Sequence, residues 1–216
     1  GIVGWGEAQS PVSPNTTATI IKDIVEPLTI GKDIYDVESI WHNNYSSKRE
    51  RGHYTGFYID AICGVDIAIW DAIGKSLNMP TCKAMGGAHR KSVAVYNGIG
   101  GTEPEEVADQ AEGSVSKGYK FVKMHLKENL EKDIEIARKV RERVGDSIGI
   151  MIDVHMGFDT FNVIKLGKEL EKLNLLWIES PSDPTDIPGL CEISRSLDIP
   201  IANGEWTRTK YEMREI

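Results

Sequence analysis

Residues 148–180 read IGIMIDVHMGFDTFNVIKLGKELEKLNLLWIES. The run from 148 to 154 is apolar enough for a buried strand, and 175–180 is a second one. Between them, apolar residues recur at intervals of three and four, as on an amphipathic helix. Two strands joined through a helix pair in parallel by a right-handed crossover. Each strand closes on an acid, Asp153 in the first and Glu179 in the second. Charged groups rarely stand at the mouth of a core strand without a partner.

The same rhythm extends both ways from this stretch. Strands are expected at 92–97 (SVAVYN), 120–126 (KFVKMHL) and 199–205 (IPIANGE) as well. Helical segments fall near 103–117, 129–144, 160–173 and 186–197, and 207–216 begins another. The repeat is about 26 residues, one β/α unit. Five such units make more than half of a (β/α)8 barrel, or else a doubly wound sheet. In a barrel the polar residues gather at many strand ends. In a doubly wound fold they cluster at one switch point, often beside a glycine-rich phosphate loop. The one stretch that could serve as such a loop, NGIGGTEPEE at 97–106, lacks a third glycine at the required offset. The barrel is the better reading.

Residues 1–88 have a different texture: one possible strand at the start, then helical patterns at 16–28 and 33–46. Residues 56–77, GFYIDAICGVDIAIWDAIGKSL, are apolar on nearly all sides and read as a buried helix, with KRERGHYTG (48–56) a loop before it. The chain thus reads as two domains, 1–88 and 89–216.

Composition narrows the class. With 216 residues the chain can bury a sizeable core. The net charge of −8 argues against a nucleic-acid partner, and no apolar run is long enough for a membrane helix. Three widely spaced cysteines (Cys63, Cys82, Cys191) do not form a disulfide framework, and no signal peptide is visible, so a cytoplasmic setting is expected.

The polar residues at the strand ends form a constellation. The second strand ends in Lys123-Met-His125, the third in Asp153-Val-His155, the fourth in Glu179 and the fifth in Glu205. The acids at 153, 179 and 205 are spaced by one β/α unit each, so they point into the same space. Converging carboxylates repel and need a cation; oxygen donors with no soft partner select Mg²⁺ or Mn²⁺. A lone acid at a strand end is more often a helix cap. Here Asp186 is the better cap for the helix after strand four, and Thr207 can cap residues 208 onward. A lysine such as Lys123 is more often on the surface, but this one follows a core strand. His125 reads equally well as a strand-end hydrogen-bonder or a functional group. His155 shares a face with Asp153 along an extended chain.

These residues carry a resemblance to the enolase superfamily, in its mandelate racemase-like branch. It rests on Gly4-Trp5-Gly6-Glu7-Ala8, Gly64-Val65-Asp66-Ile67-Ala68-Ile69-Trp70-Asp71 and Gly86-Gly87. It also rests on Lys123-Met-His125, Asp153-Val-His155, Trp177-Ile178-Glu179-Ser180-Pro181 and Asn203-Gly204-Glu205. The resemblance implies an α/β fold: the C-terminal part of an α+β capping domain, then the first five units of a (β/α)8-type barrel. It implies that Asp153, Glu179 and Glu205 hold Mg²⁺, with Mn²⁺ a second option. Catalysis would proceed by removal of the proton α to a substrate carboxylate, with the pairing of metal and base that is the family's chemistry. The Asp-x-His of the third strand resembles acid-sugar dehydratases, such as galactonate and mannonate dehydratases. In that group His155 would protonate the leaving 3-hydroxyl, and a role as base stays open. Lys123 and His125 would face the substrate carboxylate or act as base from the other side. Racemase, epimerase or cycloisomerase chemistry, and a non-catalytic assembly role, are the alternatives. The expected partner is a small-molecule sugar acid, in a protein that is a homo-oligomer at full length. Three further strands are expected beyond those present, so the chain is expected to be part of a longer enzyme.

Overall fold

The computed structural model describes residues 1–126 and 129–216. It divides into two compact units, Gly1–Ser92 and Val93–Ile216.

The first unit is helical. It holds α1 (Pro14–Ile20), α2 (Glu26–Thr29), α3 (Val37–Ser47), α4 (Gly56–Ser76) and α5 (Thr81–Ala84). A π-helical turn, Ile21–Val25, joins α1 to α2, and a 3₁₀ turn, Ile34–Asp36, leads into α3. Residues 1–10 are irregular, not the strand expected there. They lie along α4 because Gly4 and Gly6 have no Cβ. One added at either would fall on the carbonyl oxygen of Ala68 or Gly64. The Trp5 N–H donates to Asp71 Oδ2 at 2.7 Å, which fastens the segment. Helix α4 is less enclosed than its composition suggests. Ile59, Ile62 and Ile73 are buried, but Ile67 is half exposed.

The second unit alternates strands and helices: β1 (Asn97–Gly100), α6 (Pro104–Ser116), β2 (Phe121–His125), α7 (Leu130–Val144), β3 (Gly149–Asp153), α8 (Thr160–Leu170), β4 (Leu175–Glu179), α9 (Ile187–Ser196), β5 (Ile201–Ala202) and α10 (Lys210–Met213). The five strands are parallel and lie in chain order, β1-β2-β3-β4-β5. A doubly wound sheet would reverse its order at a switch point. This order, with α6 on α7, α7 on α8 and α8 on α9, is that of a (β/α) barrel segment. The helix starts are capped by side chains: Asn129 before α7, Asp159 before α8 and Asp186 before α9.

The core lies between sheet and helices. Val122, Met124, Ile150, Ile152 and Ile178 are fully buried there against Val107, Ala137, Val140, Val163 and Leu166. Each such side chain contributes about 1.5–3 kcal/mol. Alternation then sends Lys123, Met151 and Asp153 to the other face of the sheet. The phase on β4 is reset by an irregularity: Ile150 pairs with Leu175, but Met151 pairs with Trp177. Leu176 is the extra residue, and it brings Asp153 and Glu179 into direct register.

Two strands differ from their expected bounds. The first is not 92–97. Val93 and Val95 are largely exposed, and pairing begins only at Asn97, opposite Val122. Alternating apolar residues make a strand only where a neighbour supplies ladder bonds. The glycine-bearing NGIG is therefore strand, not phosphate loop. The fifth is cut from 199–205 to Ile201–Ala202. Pro200 offers no N–H, and Gly204, at φ +119°, turns the chain.

Candidate active site at the strand ends

Asp153 ends β3 almost completely buried, at 3% exposure. Its Oδ1 accepts the backbone N–H of His155 at 2.9 Å, tightening the turn that follows. Its Oδ2 faces β2, 3.6 Å from Lys123 Nζ and 3.3 Å from His125 Nδ1. Beyond the strand, His155 (φ 43°) and Met156 (φ 59°) adopt left-handed backbone, and Ser180 (φ 49°) does the same after Glu179. The Met156 N–H donates to Ser180 O at 2.9 Å, tying the two turns together. Non-glycine residues in this region are strained, and such strain concentrates at functional sites.

Lys123 is 6% exposed, which for an ammonium requires partners. It donates to Glu179 Oε1 at 2.9 Å and to Oε2 at 3.0 Å, and lies 5.0 Å from the centre of the Tyr96 ring. Burial alone pushes its pKa down, but the bonds to Glu179 and Tyr96 outweigh that and hold it above the usual lysine value. Lys123 is therefore a fixed cation across the neutral range. Its register mate on β1 is Gly98, and that of His125 is Gly100. With no side chains at these two positions, the sheet face is left open beside both.

Glu179 takes a further bond from Trp177 Nε1, at 3.2 Å. Glu205 arrives differently from the other two acids. The β5 residue in register with Glu179 is Ala202, and Glu205 stands beyond it in an exposed turn. Spacing by one β/α unit thus places 153 and 179 at equivalent strand positions, but not 205. Even so, one ligand atom each of Asp153, His155 and Glu205 lie within 4.8 Å of one another. Trp206, next to Glu205, sets its ring edge-on to the His155 imidazole at 5.8 Å. All six expected site residues therefore stand at one end of the sheet in two touching groups: Lys123, His125 and Glu179 around Asp153, and Asp153 with His155 and Glu205. Tyr96, Trp177 and Trp206 were not expected. Trp177 was legible as the residue two before Glu179, on the same strand face. The cap of α10 is Thr209, not Thr207.

Comparisons with known proteins bear on this arrangement. An "Enolase C-terminal domain-like" family matches residues 106–216. The mandelate racemase / muconate lactonizing enzyme N-terminal domain matches residues 1–86. The chain belongs to the enolase superfamily, in its mandelate racemase-like branch. It is 31% identical to the N-succinyl-L-Arg/Lys racemase of Bacillus cereus, matching over 100% of this chain and 58% of that protein. It is 35% identical to the L-talarate/galactarate dehydratase of Salmonella typhimurium, over 90% of this chain and 49% of that protein. The chain thus spans about half the length of the curated relatives it matches. Among solved structures, a Sinorhizobium meliloti protein superposes with a TM-score of 0.92 at 35% identity, covering 100% of this chain and 56% of that one. A racemase from Streptomyces coelicolor with bound magnesium gives a TM-score of 0.87 at 28% identity, covering 95% of this chain and 58% of that one. Enolase-superfamily members thus include dehydratases and racemases, and the first unit is capping-domain chain.

The residues at the strand ends suit a divalent ion. Three carboxylates balanced by one ammonium leave a surplus of two negative charges. The donors are hard oxygens, which favour Mg²⁺ or Mn²⁺. Asp153, His155 and Glu205 offer ligand atoms close enough together to hold such an ion, while both oxygens of Glu179 accept from Lys123.

Proposed function

We propose that the full-length protein dehydrates a sugar acid to a 2-keto-3-deoxy acid, with Mg²⁺ or Mn²⁺ held by Asp153, Glu179 and Glu205. The supporting observation is that proton-transfer groups flank the acid cluster on two sides. Lys123 and His125 meet Asp153 from β2, and His155 stands with Asp153 and Glu205 on the other. When bound, the ion supplies positive charge for the second negative charge that develops on the substrate carboxylate.

The protein groups divide the remaining work. Lys123, held as an ammonium, orients the substrate carboxylate. His125, with a half-exposed side chain, can accept the α-proton. His155 gives a proton to the 3-hydroxyl, which leaves as water, and the resulting enol becomes the 2-keto acid. The protein acts on this small molecule in the cytoplasm, as a homo-oligomer and with no nucleic-acid or membrane partner. The excess of acidic residues supports the lack of a nucleic-acid partner, and among the described residues no helix is long and apolar enough to cross a membrane.

The Bacillus cereus relative supports a second reading, racemisation or epimerisation, and cycloisomerisation belongs with it. Screening the full-length protein with Mg²⁺ against a library of aldonic acids separates these. Dehydration predicts 2-keto-3-deoxy products. Deuterium uptake at the α-carbon from D₂O with no keto acid would replace it with the racemase reading. Neither signal, with no Mg²⁺ binding, would leave a non-catalytic role.

A further inference from the structure

The cluster of acids carries its own cation. Lys123 donates to both oxygens of Glu179 and stands 3.6 Å from Asp153 Oδ2, so one ammonium touches two of the three carboxylates at once. It cannot drift to solvent at little cost. The side chain is 8% exposed, Tyr96 lies against Nζ, and β2 fixes its backbone between β1 and β3. Glu179 is held from its other side by Trp177 Nε1.

We infer that Lys123 competes with the divalent ion for Glu179, and so sets the protein's affinity for that ion. This rests on the metal assignment proposed above. An ion sharing Glu179 must either displace the ammonium or sit within a few ångströms of it, and like charges that close in a shielded site repel strongly. Either course weakens binding. In exchange, the ammonium separates Asp153 and Glu179, which stand in direct register on adjacent strands and would otherwise face each other as like charges. Lys123 thus holds the acids together for the ion and limits how tightly the ion is kept.

Calorimetric titration of MgCl₂ alone into full-length wild type and Lys123→Met tests this. Methionine keeps the length of the chain and removes the charge. The variant should bind Mg²⁺ about tenfold more tightly or better. Its thermal midpoint in EDTA should lie below that of the wild type, and saturating Mg²⁺ should close the gap. Unchanged or weaker Mg²⁺ binding by a folded variant overturns the inference while leaving the metal site standing. No Mg²⁺ binding by the wild type overturns both. A measurement on the wild type covers a variant that does not fold: the Lys123 amino resonance should move during Mg²⁺ titration with the same midpoint as the heat, and a resonance unmoved at saturation overturns the competition.

Discussion

His155 is held by its backbone as much as by its neighbours. Its φ of 43° lies where asparagine is tolerated and β-branched residues are not, and its N–H is fixed by Asp153 Oδ1. His155→Asn should therefore separate chemistry from folding. Turnover by the full-length enzyme should fall about 10²–10⁴-fold, the usual worth of a general acid, with the thermal midpoint and Mg²⁺ affinity little changed. Steady-state kinetics beside a melting curve checks this; full turnover would move the acid role to another group. At this scale the sequence was informative where chemistry follows local spacing. Asp153 and Glu179 end equivalent strands, and Lys123 and His125 share one strand face. It was silent on the Lys123–Glu179 bond, made between residues 56 apart, and on the turn that delivers Glu205. Nothing near 123 says which acid its ammonium will find.

Arg141 shows how the elements are joined at the opposite end of the sheet. The residue is only 9% exposed, and its guanidinium is spent on backbone carbonyls. It donates to the carbonyls of Leu173, Gly145, Ile148 and Asn174, between 2.8 and 3.2 Å. It thereby fastens the end of α7 to the start of β3 and to the loop entering β4. Burial pulls its pKa below the usual arginine value, yet an arginine stays charged and keeps its donors. Arg141→Ala leaves buried carbonyls without partners and should cost about 3 kcal/mol of stability. Urea unfolding would show it, and a loss under about 1 kcal/mol would mean that water replaces the bonds. Helix limits are legible because their period and caps are local, as Asp186 before α9 shows. Strand limits are less so: among the described residues, 92–97 finds no ladder partner before Asn97, and the irregularity at Leu176 depends on a neighbouring strand.

For the molecule as a whole, the order of the sheet was inferable and its neighbours were not. Parallel strands joined by helices left two architectures, and the polar strand ends favoured the one observed. Residues 56–77 are more exposed than their composition implies. Composition reports how apolar a helix is, but exposure at Ile67 depends on what packs there. The family match covers both units, and the chain spans only part of the length of its relatives. The proposed function depends on Asp153, Glu179 and Glu205 sharing one ion. Anomalous diffraction from crystals of the full-length protein soaked in Mn²⁺ tests this most directly. The expected result is one peak bonded to oxygens of all three side chains at roughly 2.1–2.3 Å, with Lys123 Nζ moved off Glu179. No peak at this end of the sheet, or an ion held by Asp153, His155 and Glu205 with Glu179 still on Lys123, would contradict it.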